Sequence, residues 1–119
     1  QVQGDGSVLV NTGAADIGGG QRTTWSMIAA EAIGVPLASV KINAMDTQAG
    51  PDALGIFGSR GTKSVGTGVL YAALNAREKL LQGVAFKWKL SNTSAIDLKE
   101  GKVFRKSDPA NTAFQMTVA

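Results

Sequence analysis

The 119-residue sequence contains no cysteine and no histidine. Disulfides, thiolate nucleophiles and Ser–His relays are therefore excluded, and so is nearly every transition-metal site that a chain builds from its own side chains. A metal would have to arrive inside a cofactor. Long hydrophobic runs are also missing: none approaches the roughly 18 residues a membrane span needs. The opening residues "QVQGDGSVLV" lack an initiator methionine, a basic n-region and a small-residue cleavage site, so no targeting peptide is read and a cytoplasmic location is expected. The chain begins as though cut from a longer one. Strong charge is lacking too. The net charge is +3, and a solvated face of lysines in the second half accounts for it without nucleic acid.

What the sequence does have is glycine, and unevenly. Thirteen of its 15 glycines fall within the first 68 residues, dividing one expected domain, residues 1–119, into a glycine-punctuated front and an amphipathic back. In "VQGDGSVLVN" a hairpin turns at Gly4-Asp5-Gly6. From Gln21 to Ile33 the residues Trp25, Ile28, Ala29 and Ala32 follow the spacing of one helix face, and Gly34 and Pro36 end the helix. A strand around Val40 and Ile42 then completes a right-handed crossover. Residues 45–61 show no periodicity and read as a long loop. A second helix begins near Thr62 and runs to Leu81 or beyond on Val65, Val69, Ala72, Ala73, Ala76 and Leu80. A second hairpin turns at Glu100-Gly101, and "TAFQMTVA" starts an element left unfinished. The expected fold is α+β, a two-layer sandwich of two main helices on one mixed β-sheet, in the order β-β-α-β-α-β-β.

Both helices open from glycine-rich runs, "GGGQRTT" and "GSRGT". A helix N-terminus exposes unpaired N–H groups and partial positive charge, so it attracts anions, and glycine lets a phosphate come close. Gln21, Arg22, Thr23 and Thr24 add donors at the first mouth, and Ser59, Arg60 and Thr62 at the second. Two such mouths predict one extended anionic ligand bound between them. The competing structural explanation gives the glycines to turns, the hydroxyls to caps and the arginines to solvent. Neither the dinucleotide fingerprint nor the phosphate loop fits, because Thr23 ends the first run and the second lacks its second glycine. Glu31 and Glu78 read as solvated helix positions. Asp16, just ahead of the glycines, reads as a turn former, and Asp46 and Asp52 stay undecided between turns and a substrate funnel.

Taken in order, "TGAADIGGGQRTTWSMIAAEAIGVPLASVKI" and "GPDALGIFGSRGTKSVGTGVLYAALNAREKLL" resemble the large, molybdopterin-binding subunit of the xanthine oxidase family of molybdenum hydroxylases, over about residues 4–105. The resemblance implies that Gly18, Gly19, Gly20, Gln21 and Thr23 form one cofactor loop and Gly58, Ser59, Arg60, Gly61 and Thr62 the other. The first loop departs from the family at Gly19, where glutamine is common, and the second at Gly61, where serine is. The implied cofactor is molybdopterin, in its plain or cytosine dinucleotide form. Iron–sulfur clusters and FAD belong to other domains or subunits, and the family's glutamate base, in a G-x-G-E motif, does not occur in this chain. The implied partners are the rest of the large subunit, iron–sulfur and flavin subunits, and a small aldehyde or heterocyclic substrate, and the chain alone is expected to be inactive. A free-standing module for a phosphorylated ligand and a non-catalytic scaffold with a degenerate loop are the other readings. Trp25, Phe57 and Phe114 are expected to seek apolar partners, giving a homo-oligomer of the excised chain.

Overall fold

The computed structural model describes residues 1–46, 48–112 and 115–118. Its front half is a β-α-β unit. Strand β1 (Val8–Thr12) leads through the glycine run into helix α1 (Gln21–Ile33), and a short 3-10 turn, Leu37–Ser39, brings the chain back into β2 (Val40–Ala44). The two strands are parallel, with Val8 opposite Val40 and Thr12 opposite Ala44. The expected N-terminal hairpin forms as a single antiparallel bridge between Val2 and Val8, closed by the Gln3 amide on the Ser7 carbonyl at 2.8 Å.

Glycine sets both ends of α1. Gly20 and Gly34 adopt left-handed φ of 76° and 92°, a conformation that other residues reach only with strain. At the C-terminus the amides of Gly34 and Val35 both bond the Ala30 carbonyl, at 2.8 and 3.1 Å, and the Arg77 guanidinium covers the Ile33 carbonyl at 2.9 Å. That arginine also pairs with Asp97, tying the end of α1 to the next sheet.

The second helical segment starts near Thr62 and runs past Leu81, as its periodicity predicts, but it opens in an unexpected form. A π turn, Gly61–Val65, comes first, and helix α2 runs over Gly66–Lys87. Strands β3 (Ile96–Lys99) and β4 (Lys102–Arg105) form the predicted hairpin, and β5 (Gln115–Thr117) pairs antiparallel with β4. The last segment is thus a strand paired with the hairpin. The single mixed sheet is also corrected. Among the described residues β1 and β2 form one parallel pair, while β3, β4 and β5 form a separate antiparallel sheet. The cause is the 22 residues of α2, which at 1.5 Å per residue carry the chain about 33 Å before it can pair again. Trp25, Ile33, Val8, Ile96 and Val103 are the largest fully buried side chains, so one core links both sheets through the helices.

This topology fixes where a site can lie. The glycine run before α1 leaves the carboxyl end of β1, and the loop feeding the π turn leaves the carboxyl end of the adjacent parallel strand β2. Both helix mouths thus open beyond the same edge of the parallel pair, where α/β units hold their ligands.

Candidate cofactor-binding site

The two mouths meet. A Cβ added to Gly61 would lie 3.2 Å from Gln21 Cγ, and the Trp25 indole Nε1 donates to the Gly61 carbonyl at 2.9 Å. Two runs separated by 36 residues in the chain therefore share one seam, with the Gln21 side chain in it. A Cβ on Gly19 would stand 2.6 Å from Gln21 Nε2. Gly19 and Gly61 thus both flank one glutamine, whose amide crowds a Cβ at the first and whose Cγ crowds one at the second. Gln21 Oε1 is buried and has no hydrogen-bond partner.

The remaining glycines answer to backbone shape and not to crowding. Gly18, Gly20 and Gly58 have φ of 97°, 76° and 64°, and a Cβ on any of them would meet nothing within 4 Å. Open space lies above both loops. Ser59 also holds a left-handed φ of 59°, which is uncommon for a residue with a side chain and concentrates at functional sites. Gly58 and Ser59, both at left-handed φ, are followed by Arg60 at φ −85° and ψ −12°, so the backbone reverses hand just before the π turn.

The mouths differ electrostatically. At the first, Asp16 reaches back over the glycines: Oδ1 accepts the Gly18 amide and Oδ2 the Arg22 amide, each at 3.0 Å. The Arg22 amide bond is the chief reason the carboxyl sits below its ordinary pKa, with the Gly18 and Gln21 amides and the Arg22 charge adding to it against a desolvation effect. The α1 mouth therefore already carries an internal anion. Arg22 itself reaches the Ile42 carbonyl at 3.2 Å, and Thr23 is exposed. The second mouth has no side-chain cap on either the π turn or α2. Arg60 stands there with its guanidinium carbon 5.5 Å from the centre of the Phe57 ring, a cation–π distance that orients the group. Thr62 and Lys63 are exposed beside it.

The ten residues expected to hold a cofactor are thus brought to one edge, with unequal parts. Asp16 forms the turn expected of it through the Gly18 amide, and its bond to the Arg22 amide in the first turn of α1 is an addition the sequence did not announce. Asp46 is a turn former, accepting the Gln48 and Ala49 amides at 2.9 and 3.1 Å and Asn43 Nδ2 at 3.1 Å. Glu31 and Glu78 are exposed, as expected, and so is Asp52. Among the described residues no group of acidic side chains could hold a metal, and no helix is long and apolar enough to cross a membrane. Trp25 corrects an expectation: it is completely buried, whereas Phe57 is 66% exposed and Phe114 lies outside the described residues. The signal for Trp25 was its place on the apolar stripe of α1 together with an indole N–H, which requires a partner once buried.

Comparison with known proteins agrees with this geometry. The family model described as the molybdopterin cofactor-binding domain matches residues 1–119. The chain belongs to that family. It is 37% identical over 82 residues to the xanthine dehydrogenase molybdenum-binding subunit of Escherichia coli O157:H7, covering 68% of this chain and 11% of that one. It is 34% identical over 74 residues to the carbon monoxide dehydrogenase large chain of Afipia carboxidovorans, covering 62% and 9%. Among solved structures, quinoline 2-oxidoreductase from Pseudomonas putida 86 superimposes with a TM-score of 0.85 at 29% identity, over 98% of this chain and 14% of that one. The chain thus spans about a tenth of the length of the curated relatives it matches.

Proposed function

We infer that this domain holds the pyranopterin of the molybdenum cofactor across the seam between its two helix mouths, with the phosphate at the second. The observation that carries the assignment is the Gln21 amide, fitted between Gly19 and Gly61 with a buried acceptor lacking a protein donor. A buried acceptor without a partner is costly, and a pterin edge carries N–H donors that satisfy one. The residues present fit such a group. Gly18 and Gly20 give a flat approach, Gln21 offers the acceptor, Thr23 lies exposed on the same rim, and Ser59, Arg60, Gly61 and Thr62 supply amides, hydroxyls and one oriented cation. The phosphate goes to the second mouth because the first is already neutralised by Asp16. A dinucleotide extension would leave along the open face of Gly58 and Phe57.

When bound, the cofactor supplies two-electron redox chemistry at molybdenum, and the protein's share is placement and electrostatics. The relatives' names cite xanthine, carbon monoxide and quinoline, three substrates with little chemistry in common, although the domain they share has one fold. Holding the cofactor is therefore the common task, and substrate choice belongs to other segments. In a full-length molybdenum hydroxylase this domain, residues 1–119, would serve hydroxylation of an aldehyde or heterocycle, with electrons leaving through iron–sulfur and flavin partners in the cytoplasm. The full-length family match favours this reading over a free-standing phosphate module or a scaffold with a degenerate loop. The test is Arg60→Ala combined with Ser59→Ala in the intact molybdenum-binding subunit. Molybdenum and pterin per chain should fall at least tenfold, and full retention of both would refute the assignment.

A further inference from the structure

Helix α1 grips the second mouth along one stripe. Gln21 packs on Gly61, Trp25 bonds the Gly61 carbonyl, and Ile28 Cδ1 lies 2.9 Å from where a Gly66 Cβ would stand, a spacing of i, i+4 and i+7 that belongs to a single helix face. Only the middle contact is directional. The Gly61 carbonyl also accepts the Gly66 amide at the end of the π turn, one residue further along than an α-helix would provide. That carbonyl therefore has two donors, one holding the turn together and one reaching it from α1.

We propose that Trp25 is the positioning residue for the cofactor loop Ser59–Thr62: its indole N–H fixes the Gly61 carbonyl, and so aims a mouth that has no capping side chain toward the seam it shares with α1. The indole is fully buried, so its N–H must find a protein acceptor, and the acceptor it finds lies inside the loop. Removing the donor leaves the Gly61 carbonyl bonded to Gly66, so the turn stays satisfied while its placement is released. Losing that bond alone should cost little stability and much ligand retention, and the volume lost in Trp25→Phe adds a cavity cost that the control variant below is chosen to match. The proposal rests on the cofactor assignment above.

The test compares Trp25→Phe with Val103→Ala in the intact molybdenum-binding subunit. Val103 is buried in the second sheet and serves as a control for general destabilisation. Molybdenum and pterin per chain, thermal midpoint and amide exchange over residues 58–66 are measured for both. The loss of one aligning hydrogen bond should lower cofactor retention about fivefold and speed exchange over 58–66 in Trp25→Phe, with neither change in Val103→Ala at a matching thermal loss. Equal retention in the two variants overturns the proposal. Loss of cofactor from the Arg60/Ser59 double variant but not from Trp25→Phe sinks this inference and leaves the cofactor assignment standing, whereas retention in the double variant sinks the assignment and this inference with it. If the phenylalanine variant fails to fold, site-specific incorporation of 3-benzothienylalanine at position 25 reads the same bond, because it keeps the bicyclic shape and lacks the N–H. Undiminished cofactor in that protein likewise overturns the proposal.

Discussion

Gly34→Ala should be among the most damaging single-methyl additions in this domain, and the structure says by how much. Gly34 sits at φ 92°, where an alanine costs about 1–2 kcal/mol in left-handed strain. The added Cβ would stand 2.4 Å from the Leu98 carbonyl oxygen and 2.8 Å from Arg77 Nη1, against an ordinary contact of 3.4 Å or more. The obstacle is backbone of β3, so the sheet has to move by about 1 Å. That movement strains the Gly101 amide bond to the Gly34 carbonyl, now 2.9 Å, for about another 1 kcal/mol. The sum is about 2–3 kcal/mol, or roughly 10 °C in thermal midpoint for a domain of this size. Gly68→Ala is the matched comparison: it lies in α2 with an ordinary φ and nothing within 4 Å of its Cβ, so it should stabilise by about 0.5–1 kcal/mol. Urea unfolding followed by far-ultraviolet circular dichroism measures both. A loss below about 1 kcal/mol for Gly34→Ala, or shifts of the same sign in the two variants, would refute the packing argument.

Three further outcomes follow from the same contacts. Asp16 has a lowered pKa, so its contribution is present above the ordinary carboxylate value of 3.8 and is lost as pH falls through its lower folded value; Asp16→Asn should remove that acid-range dependence, read as the pH profile of unfolding at constant ionic strength, and an unchanged profile would contradict the cap. Gly19→Ala meets only the mobile end of Gln21 at 2.6 Å, so it should cost less than about 1 kcal/mol while pushing the amide out of the seam and lowering cofactor per chain severalfold by metal and pterin analysis. Arg77→Leu removes the donor to the Ile33 carbonyl and the partner of Asp97, and should cost about 1–2 kcal/mol in chemical denaturation because that pair is partly exposed.

The parts of this fold legible in the sequence were those governed by neighbours in the chain. Helix α1 has the limits its glycines announce, since a left-handed residue at each end is a local requirement, and the Glu100-Gly101 hairpin turns where expected because both residues adopt positive φ, 51° and 72°. What escaped was decided at a distance. The π turn has no periodic signature: nothing in the local repeat marks the Gly66 amide reaching back to the Gly61 carbonyl. The pairing of β5 with β4, and the split into two sheets, follow from the reach of α2 and not from the composition of any strand. Ala72 belongs to the apolar repeat yet is exposed, because a small residue fits that repeat without demanding burial. The site was half readable. Glycine runs and hydroxyls marked both mouths, but what crowds a Cβ at Gly19 and Gly61, at 2.6 and 3.2 Å, is a third residue, Gln21.

The asymmetry of the two mouths bears on which way round a guest can lie. Two bare helix N-termini side by side would compete for the same phosphate, and binding would leave its orientation open. Here Asp16 withdraws the first mouth from that competition by filling it with a carboxylate fixed through two amides at 3.0 Å, and a second anion beside it would meet repulsion. The first mouth is left with an uncharged offer, the Gln21 acceptor, and the second with amides and Arg60. A ligand with hydrogen-bond donors at one end and a phosphate at the other is then seated in a single direction. Orientation is the part of cofactor chemistry that a protein must supply, and under the proposed assignment Asp16 would set it by occupying the first mouth.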